Sequence, residues 1–390
     1  MNMKNLFHYS TSLSYLLFFL IEISTTGCHT DTDGITAELR TVPPASIRME
    51  GELLKRMLKN QQALSSRKEE TETTASSSDN LKTGFPEKSD IDYWKHYQMY
   101  GMSENHENYE SFHIYDQSTS PAAVIRSYLY VTTLWQQTRQ EKFRDEAELI
   151  YYNGICHLQQ PDGNWGSDNT PGNKIQDVCL KTIRKKSSPE ETGYCTRGLQ
   201  QIADRSYFIA GSTLYIPFLR ESRLELSDQE KLLKLQQQTR YPFGNSVSIT
   251  IKNNSWGIDH LMIAAPEWTS NHLLTLNGET ITSTLTHGFL DLKRNLKDGD
   301  RIRLSFTLNL RIVRPINKEN TNLDQLKIYY GPLLLSYNGP EVIKLTTPEN
   351  IIQLDSISFR IENKDITLRP VYRHPDNNEE KENRKKQILF

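Results

Sequence analysis

The sequence predicts an α+β chain of more than one domain, with helical hairpins first and an antiparallel β-sandwich after them. Three observations lead there. In three stretches, from Ser120-Pro121, at about 142–160 and at about 196–209, apolar residues return every three or four positions, the period of a helix with one buried face. From Ser212 onward the period drops to two, in short runs separated by Gly, Asn and Asp. The length of 390 residues also exceeds what one hydrophobic core organises.

In chain order, Lys4 precedes the apolar run "LSYLLFFLI" (13–21), which is too short to span a bilayer as a mature helix. "TTGC" follows, ending at Cys28. Gly-Cys after such a run resembles a bacterial lipoprotein cleavage site. Residues 1–28 are therefore expected to be a signal peptide, with Cys28 lipidated and the protein exported to the periplasm or outer membrane. An ordinary secretory signal with an incidental Cys is the alternative. Residues 29–91 are expected to hold a polar tether, one helix over 46–66 (Met49, Leu53, Met57, Leu64) and the charged, Ser/Thr-rich linker "RKEETETTASSSDN" (67–80).

The helical domain is expected over 92–210. Ser120-Pro121 is a start signal, and Val124, Ile125, Tyr128, Leu129, Thr132 and Trp135 share one face behind it. A second helix at about 142–160 carries Phe143, Ala147, Ile150, Gly154 and Leu158, and "QPDG" (160–163) turns the chain. The two form an antiparallel hairpin. A third helix is placed at about 196–209, with Cys195 just before it and Gly211 stopping it. The sandwich is expected over 211–375, with strands at 212–219, 247–253, 260–268, 272–279, 288–294, 300–308, 326–338, 351–363 and 366–372. "NG" (277–278) and "DG" (298–299) mark turns between them. The tail 376–390 reads as disordered.

Net charge is −2, and no basic stripe of the kind nucleic-acid binders show runs along the sequence, so nucleic acid is not an expected partner. The 19 Tyr, 13 Phe and 5 Trp suit a large core and also suit stacking on sugar rings. In an oxidising compartment Cys156, Cys179 and Cys195 are an odd set, which allows one disulfide with a free thiol, or three buried or metal-bound thiols.

Several phrases carry a family resemblance. "TSPAAVIRSYLYVTTLWQQTRQEKFRDEAELIYYNGICHLQQPDGNWGSD" (119–168), "CTRGLQQIADRSYFIAGSTLYIPFL" (195–219), "YPFGNSVSITIKN" (241–253), "LMIAAPEW" (261–268) and "LKIYYGPLLLSYN" (326–338) resemble the β-L-arabinofuranosidase-like glycoside hydrolase family 127 in order and in content. The resemblance covers about residues 100–375. It implies a partial (α/α) toroid of helical hairpins followed by the β-sandwich, and a zinc-dependent retaining glycosidase acting on arabinose-containing plant glycans. In that family a cysteine thiolate is the nucleophile, a glutamic acid is the acid/base, and a Glu-x-Cys pair with two adjacent cysteines serves zinc. Here the adjacent pair appears as Tyr194-Cys195, and "YDQSTSP" (115–121) stands where Glu-x-Cys belongs. The helices between 46 and 210 are also too few for a complete toroid.

The resemblance thus implies Cys195 as nucleophile or zinc ligand, Glu104 as acid/base and Asp116 at the Glu position of the zinc site; a catalytic zinc with three protein ligands would draw on Cys195, Cys179 and Asp116, with His113 and His157 as further candidates. From the residues themselves, a Cys at a helix N-terminus near Arg197 would have its thiolate favoured, and Glu191 flanks it as a second acid/base candidate. His157, Tyr152, Trp165 and Arg197 are candidates for binding sugar. A catalytically inactive glycan-binding lipoprotein or a truncated relic, lacking the zinc–cysteine site, is the competing reading.

Overall fold

The computed structural model describes residues 38–68, 90–100, 120–166, 187–313, 327–338 and 351–375 (apart from 363, 365 and 373), and the strand at 386–388. Helices α1 (Gly51–Lys68), α2 (Ile91–Tyr100), α3 (Pro121–Thr138), α4 (Glu141–Leu149) and α6 (Pro189–Asp204) form the helical layer. Ser120 caps α3 by accepting from the Ala123 amide, and Pro121 takes the first helical position. At the other end Arg139 adopts the left-handed conformation and turns the chain directly into α4. After α4 the backbone widens into a π-helical turn (Ile150–Ile155) before the short α5 (Cys156–Leu158). α3 packs on α4 and α6, and α1 packs on α6. The described helices do not close into a ring.

Two sheets stack beneath them. The first has the order β1 (Arg40–Thr41), β3 (Phe208–Ala210), β4 (Thr213–Ile216), β8 (His260–Ala264), β12 (Phe289–Lys293), β11 (Thr284–Thr286). Its pairings are antiparallel except β4 with β8. The second has the order β10 (Glu279–Thr280), β9 (Thr269–Leu276), β13 (Arg301–Leu308), β7 (Ser246–Asn254), β6 (Lys231–Thr239), β5 (Ser222–Asp228), β2 (Ile47–Met49), all antiparallel. β8 is buried from Leu261 to Ala264, as a strand covered on both faces must be. One face takes the helices: Trp135 of α3 packs on Phe208 and Phe289, and Arg144 of α4 lies over Phe289. β5, β6, β7 and β13 instead alternate along most of their length between buried and more exposed residues, so the second sheet keeps one face towards water.

Three differences from the sequence reading have physical causes. The segment after Leu39, expected to be tether, supplies β1 to the first sheet because Leu39 and Val42 are buried, and Ile47–Met49, expected to open the helix over 46–66, forms β2 of the second sheet, so that the helix begins at Gly51. The hairpin β5–β6, absent from the expected strands, is plain alternation (Leu224, Leu226; Leu233, Leu235) around a turn at Gln229, whose positive φ the sequence does not advertise. The region 211–375 is also not one sandwich. β14 (Leu310–Val313), β15 (Lys327–Tyr330), β16 (Leu333–Asn338), β17 (Ile351–Gln353), β18 (Phe359–Ile361) and β19 (Thr367–Pro370) form a third sheet, with a small core of Ile328, Leu335, Phe359, Ile361 and Leu368. β20 (Lys386–Ile388) pairs with β16, so the expected disordered tail contributes a strand.

Candidate functional site

The N-termini of α3 and α6 lie side by side. α6 opens on Ser188-Pro189, the same start signal as Ser120-Pro121, with the Ser188 hydroxyl accepting from the Glu191 amide at 3.1 Å. The Glu191 carboxylate then reaches across to α3, where it accepts from Ser120 Oγ at 3.0 Å and from the Ala122 amide at 3.4 Å. A negative charge on an open helix N-terminus is favourable. Gly198 allows the approach: a Cβ there would stand 2.3 Å from Ile125 Cγ2. The amide of Ser187 donates to the Trp165 carbonyl at 3.0 Å, so the chain leaves after Gly166 and returns before α6 at this same end of the layer.

This corrects the placement of Cys195. It is not ahead of a helix but inside α6, which begins six residues earlier at Pro189, and its side chain is fully buried. Burial holds the thiol well above its ordinary range, and the charge of Glu191 adds to that. Arg197 does nothing to oppose it, because two residues further round the helix it points to solvent. Tyr194, at the other half of the expected cysteine pair, is half-buried, and its phenol is raised by burial while Arg126 pulls the other way.

The sugar-binding candidates are likewise core residues. Trp165 and His157 are buried, and Tyr152 lies edge-on to Tyr151 and Tyr241. Aromatic side chains at helical spacing serve a core and a cleft equally well, so sequence could not separate the two. Glu104, His113, Asp116, Cys179 and Cys28 lie outside the described residues. Among the described residues, no group of three or more His, Cys, Asp or Glu side chains is placed to hold a metal.

A second polar constellation, which sequence reasoning missed, lies where α4 and its π turn meet the sandwich. The Glu148 carboxyl is buried and accepts from the Tyr241 hydroxyl at 2.8 Å, and that hydroxyl in turn accepts from Trp268 Nε1 at 2.8 Å. Burial pushes Glu148 up to about 7, against the pull of the Tyr241 hydrogen bond, Arg144 and Arg220. The Arg220 guanidinium lies over Tyr151 at 4.4 Å and Phe218 at 4.6 Å, and donates to the Tyr128 hydroxyl at 3.1 Å. Its Nε and Nη1 have no hydrogen-bond partner among the described residues, so aromatic faces supply the attraction that an acceptor would elsewhere. Nearby, Arg56 bridges Glu52 (2.7 Å) and Gln159 (3.1 Å), and burial raises the Cys156 thiol, whose Sγ lies 3.7 Å from Glu52 Oε1. Asn153 in the π turn donates to the carbonyls of Leu149 and Pro332 and accepts from the Leu334 amide, which ties the helical layer to the third sheet. The spacing Arg144, Glu148, Tyr151 is a polar stripe at helical period beside Phe143, Ala147 and Ile150. That was the available signal.

The sandwich carries the family likeness. Residues 213–308, from β4 to β13, match the family model described as "Beta-L-arabinofuranosidase, GH127 middle domain". Over this region the chain is divergent but GH127-like. Solved structures agree in fold. One is described as a glycoside hydrolase (16% identity, TM-score 0.53, covering 70% of this chain and 51% of that one). Another is a GH127 β-arabinofuranosidase (17%, TM-score 0.50, 71% and 51%). A third is Ara127N-Se, a GH127 β-L-arabinofuranosidase from Geobacillus stearothermophilus T6 (15%, TM-score 0.52, 77% and 47%). This GH127-like chain therefore spans about half the length of the solved structures it matches. No curated protein matches it.

Proposed function

We propose that the protein is a glycoside hydrolase-like, carbohydrate-active protein whose substrates are arabinose-containing glycans with β-L-arabinofuranosyl ends. The observation that carries this is the match of residues 213–308 to the GH127 middle domain, beside a fold likeness to a solved GH127 β-arabinofuranosidase that covers 71% of this chain. The site is proposed at the joined N-termini of α3 and α6. Glu191 is the carboxylate that the described fold holds there. Glu104, Asp116 and Cys179 belong to the segments 101–119 and 167–186, which adjoin Ser120 and Ser187.

A retaining glycosidase needs a nucleophile and an acid/base on opposite sides of the scissile bond. Cys195 fits a nucleophile's role only after two changes, exposure and loss of its proton. A second reading, glycan binding without turnover, is favoured by that buried, protonated thiol. Of the zinc set Cys195, Cys179 and Asp116, Cys195 alone lies among the described residues, so no step is routed through the metal. Metal content after purification tests whether zinc binds. Lipidation at Cys28 with export to the periplasm or outer membrane is proposed from its Gly-Cys motif, and acyl labelling that disappears in Cys28→Ala tests it.

The functional experiment is sugar release by the purified protein from a panel of arabinofuranosides and plant polysaccharides, beside Cys195→Ala and Glu191→Gln. Release abolished by Cys195→Ala establishes a thiol-dependent enzyme. Release that survives it moves the chemistry to the carboxylates. Binding with no release, from folded protein, establishes the second reading.

A further inference from the structure

The outward face of the second sheet sets its polar residues in register. One row runs Gln238, Ser248, Arg303, Thr275 across β6, β7, β13 and β9, and the next runs Gln236, Thr250, Arg301. Strands lie about 4.8 Å apart, and alternate residues about 7 Å apart along a strand. Arg301 and Arg303 therefore stand side by side, with hydroxyls directly across the strands from them. Lys252 lies on the same face, two residues beyond Thr250. All three cations are exposed, and their side chains form no ion pair or hydrogen bond among the described residues.

The neighbouring carboxylates are already engaged. Glu50 pairs with Arg223 and Glu225 with Lys234, each at 2.7 Å. Asp300 accepts from Asn277 and from the Lys297 amide, and Asp298 from the Asn254 amide. Further along the second row Arg48 lies directly opposite Arg223, a like-charge pair that costs stability in a sheet. A solvated face is the ordinary state of an antiparallel sheet. The sign of the charge is what departs from that default: the chain's net charge is −2, yet this face is basic. Its cations outside ion pairs among the described residues (Arg48, Lys252, Arg301, Arg303) come from β2, β7 and β13, which are far apart in sequence, so no basic stripe appears until the strands pair.

We propose that this face binds an anionic polysaccharide, an extended polymer of uronic acid residues, with Arg301 and Arg303 taking its carboxylates. Guanidinium forks suit carboxylate, and the flanking Ser, Thr and Gln groups suit the ring hydroxyls between them. The outward positions of β5, β6, β7 and β13 hold no aromatic residue, so the face lacks the stacking platform that single-stranded nucleic acid uses. The polymer's class rests on the carbohydrate reading above; the site itself does not.

The test is affinity electrophoresis of the full chain in gels containing sodium polygalacturonate, its fully methyl-esterified form, or duplex DNA. Retardation is expected in polygalacturonate alone, weakening with salt. The double variant R301Q/R303Q is expected to lose affinity by about tenfold or more, as loss of two charge-assisted contacts implies. Both positions are exposed, so the variant keeps the fold. Three outcomes in the polysaccharide gels overturn the proposal: no retardation of the native protein, equal retardation by the methyl ester, or undiminished binding by the double variant. Equal binding to duplex DNA overturns it in favour of a nucleic-acid face. The arabinofuranoside panel fails or succeeds independently. Absent hydrolysis with intact polygalacturonate binding removes the proposed enzyme and leaves this site standing.

Discussion

Glu148→Gln isolates the buried carboxyl beneath the π turn and gives a pH signature of known sign. In the native protein burial pushes this group up to about 7, whereas in the unfolded chain it has its ordinary value near 4.5. Between those two values the folded state holds the proton and the unfolded state does not. The group's contribution to stability is therefore fully present below about pH 4.5 and is lost as pH rises through 7. At 1.36 kcal/mol per pKa unit, the loss between pH 5 and pH 8 is about 2 to 3 kcal/mol. The amide of Gln keeps the shape and the contact with the Tyr241 hydroxyl but does not titrate. Urea unfolding of the native protein and the variant at both pH values gives the assay. Other ionisable groups act on both proteins alike and cancel in the difference. The native protein should lose about 2 to 3 kcal/mol relative to Glu148→Gln on going from pH 5 to pH 8. Parallel pH profiles would refute the assignment of a neutral, buried carboxyl here, and a difference of opposite sign would mean that Arg144 and Arg220 outweigh burial and hold it ionised.

Three further outcomes follow from the packing. Asn153→Ala leaves the Pro332 carbonyl and the Leu334 amide without their partner and should cost about 2 to 4 kcal/mol; hydrogen exchange should quicken at 333–338 well before it does in β7 or β13, and uniform exchange would contradict a local clamp. Gly198→Ala drives a methyl into Ile125 and should cost about 1 to 3 kcal/mol; much of that should be recovered with Ile125→Ala in a double-mutant cycle, and strict additivity would sink the contact. Cys156 and Cys195 should resist alkylation by iodoacetamide near neutral pH until the protein unfolds, because both thiols are buried and protonated; rapid native labelling of Cys195, read by peptide mass, would show that the thiol is presented in solution and revive the nucleophile.

What the sequence disclosed and what it hid follow one division. Strands announced by alternation were legible from Val247 to Leu308, because a sheet with one wet face writes its period into the chain. α3 was legible from Ser120-Pro121. The identical dipeptide Ser188-Pro189 went unread because the polar stretch "EETGY" after it lacked an apolar stripe, and that omission displaced Cys195 from a helix interior to a helix end. The π turn has no sequence mark, since it arises where Tyr151, Tyr152 and Asn153 are all drawn inward at once. Nothing in the sequence around it singles out Arg220. Only the fold brings Tyr128, Tyr151 and Phe218 around it.

The two polar groupings of the described fold therefore stand in different relations to function. The Glu148–Tyr241–Trp268 chain has the raised carboxyl that marks many catalytic acids, yet every atom of it serves the junction of helix and sandwich, and no sugar reaches a side chain 1% exposed. Glu191 has the reverse character. It is half-buried, it is fixed by two donors from another helix, and it stands beside both points where the chain enters the helical layer. A perturbed pKa alone would select the first grouping, whereas access and chain geometry select the second. Activity that depends on Glu191 and is indifferent to Glu148→Gln below pH 6, where Glu148 is already protonated, would show that access, and not the pKa shift, identifies the working carboxylate in this fold.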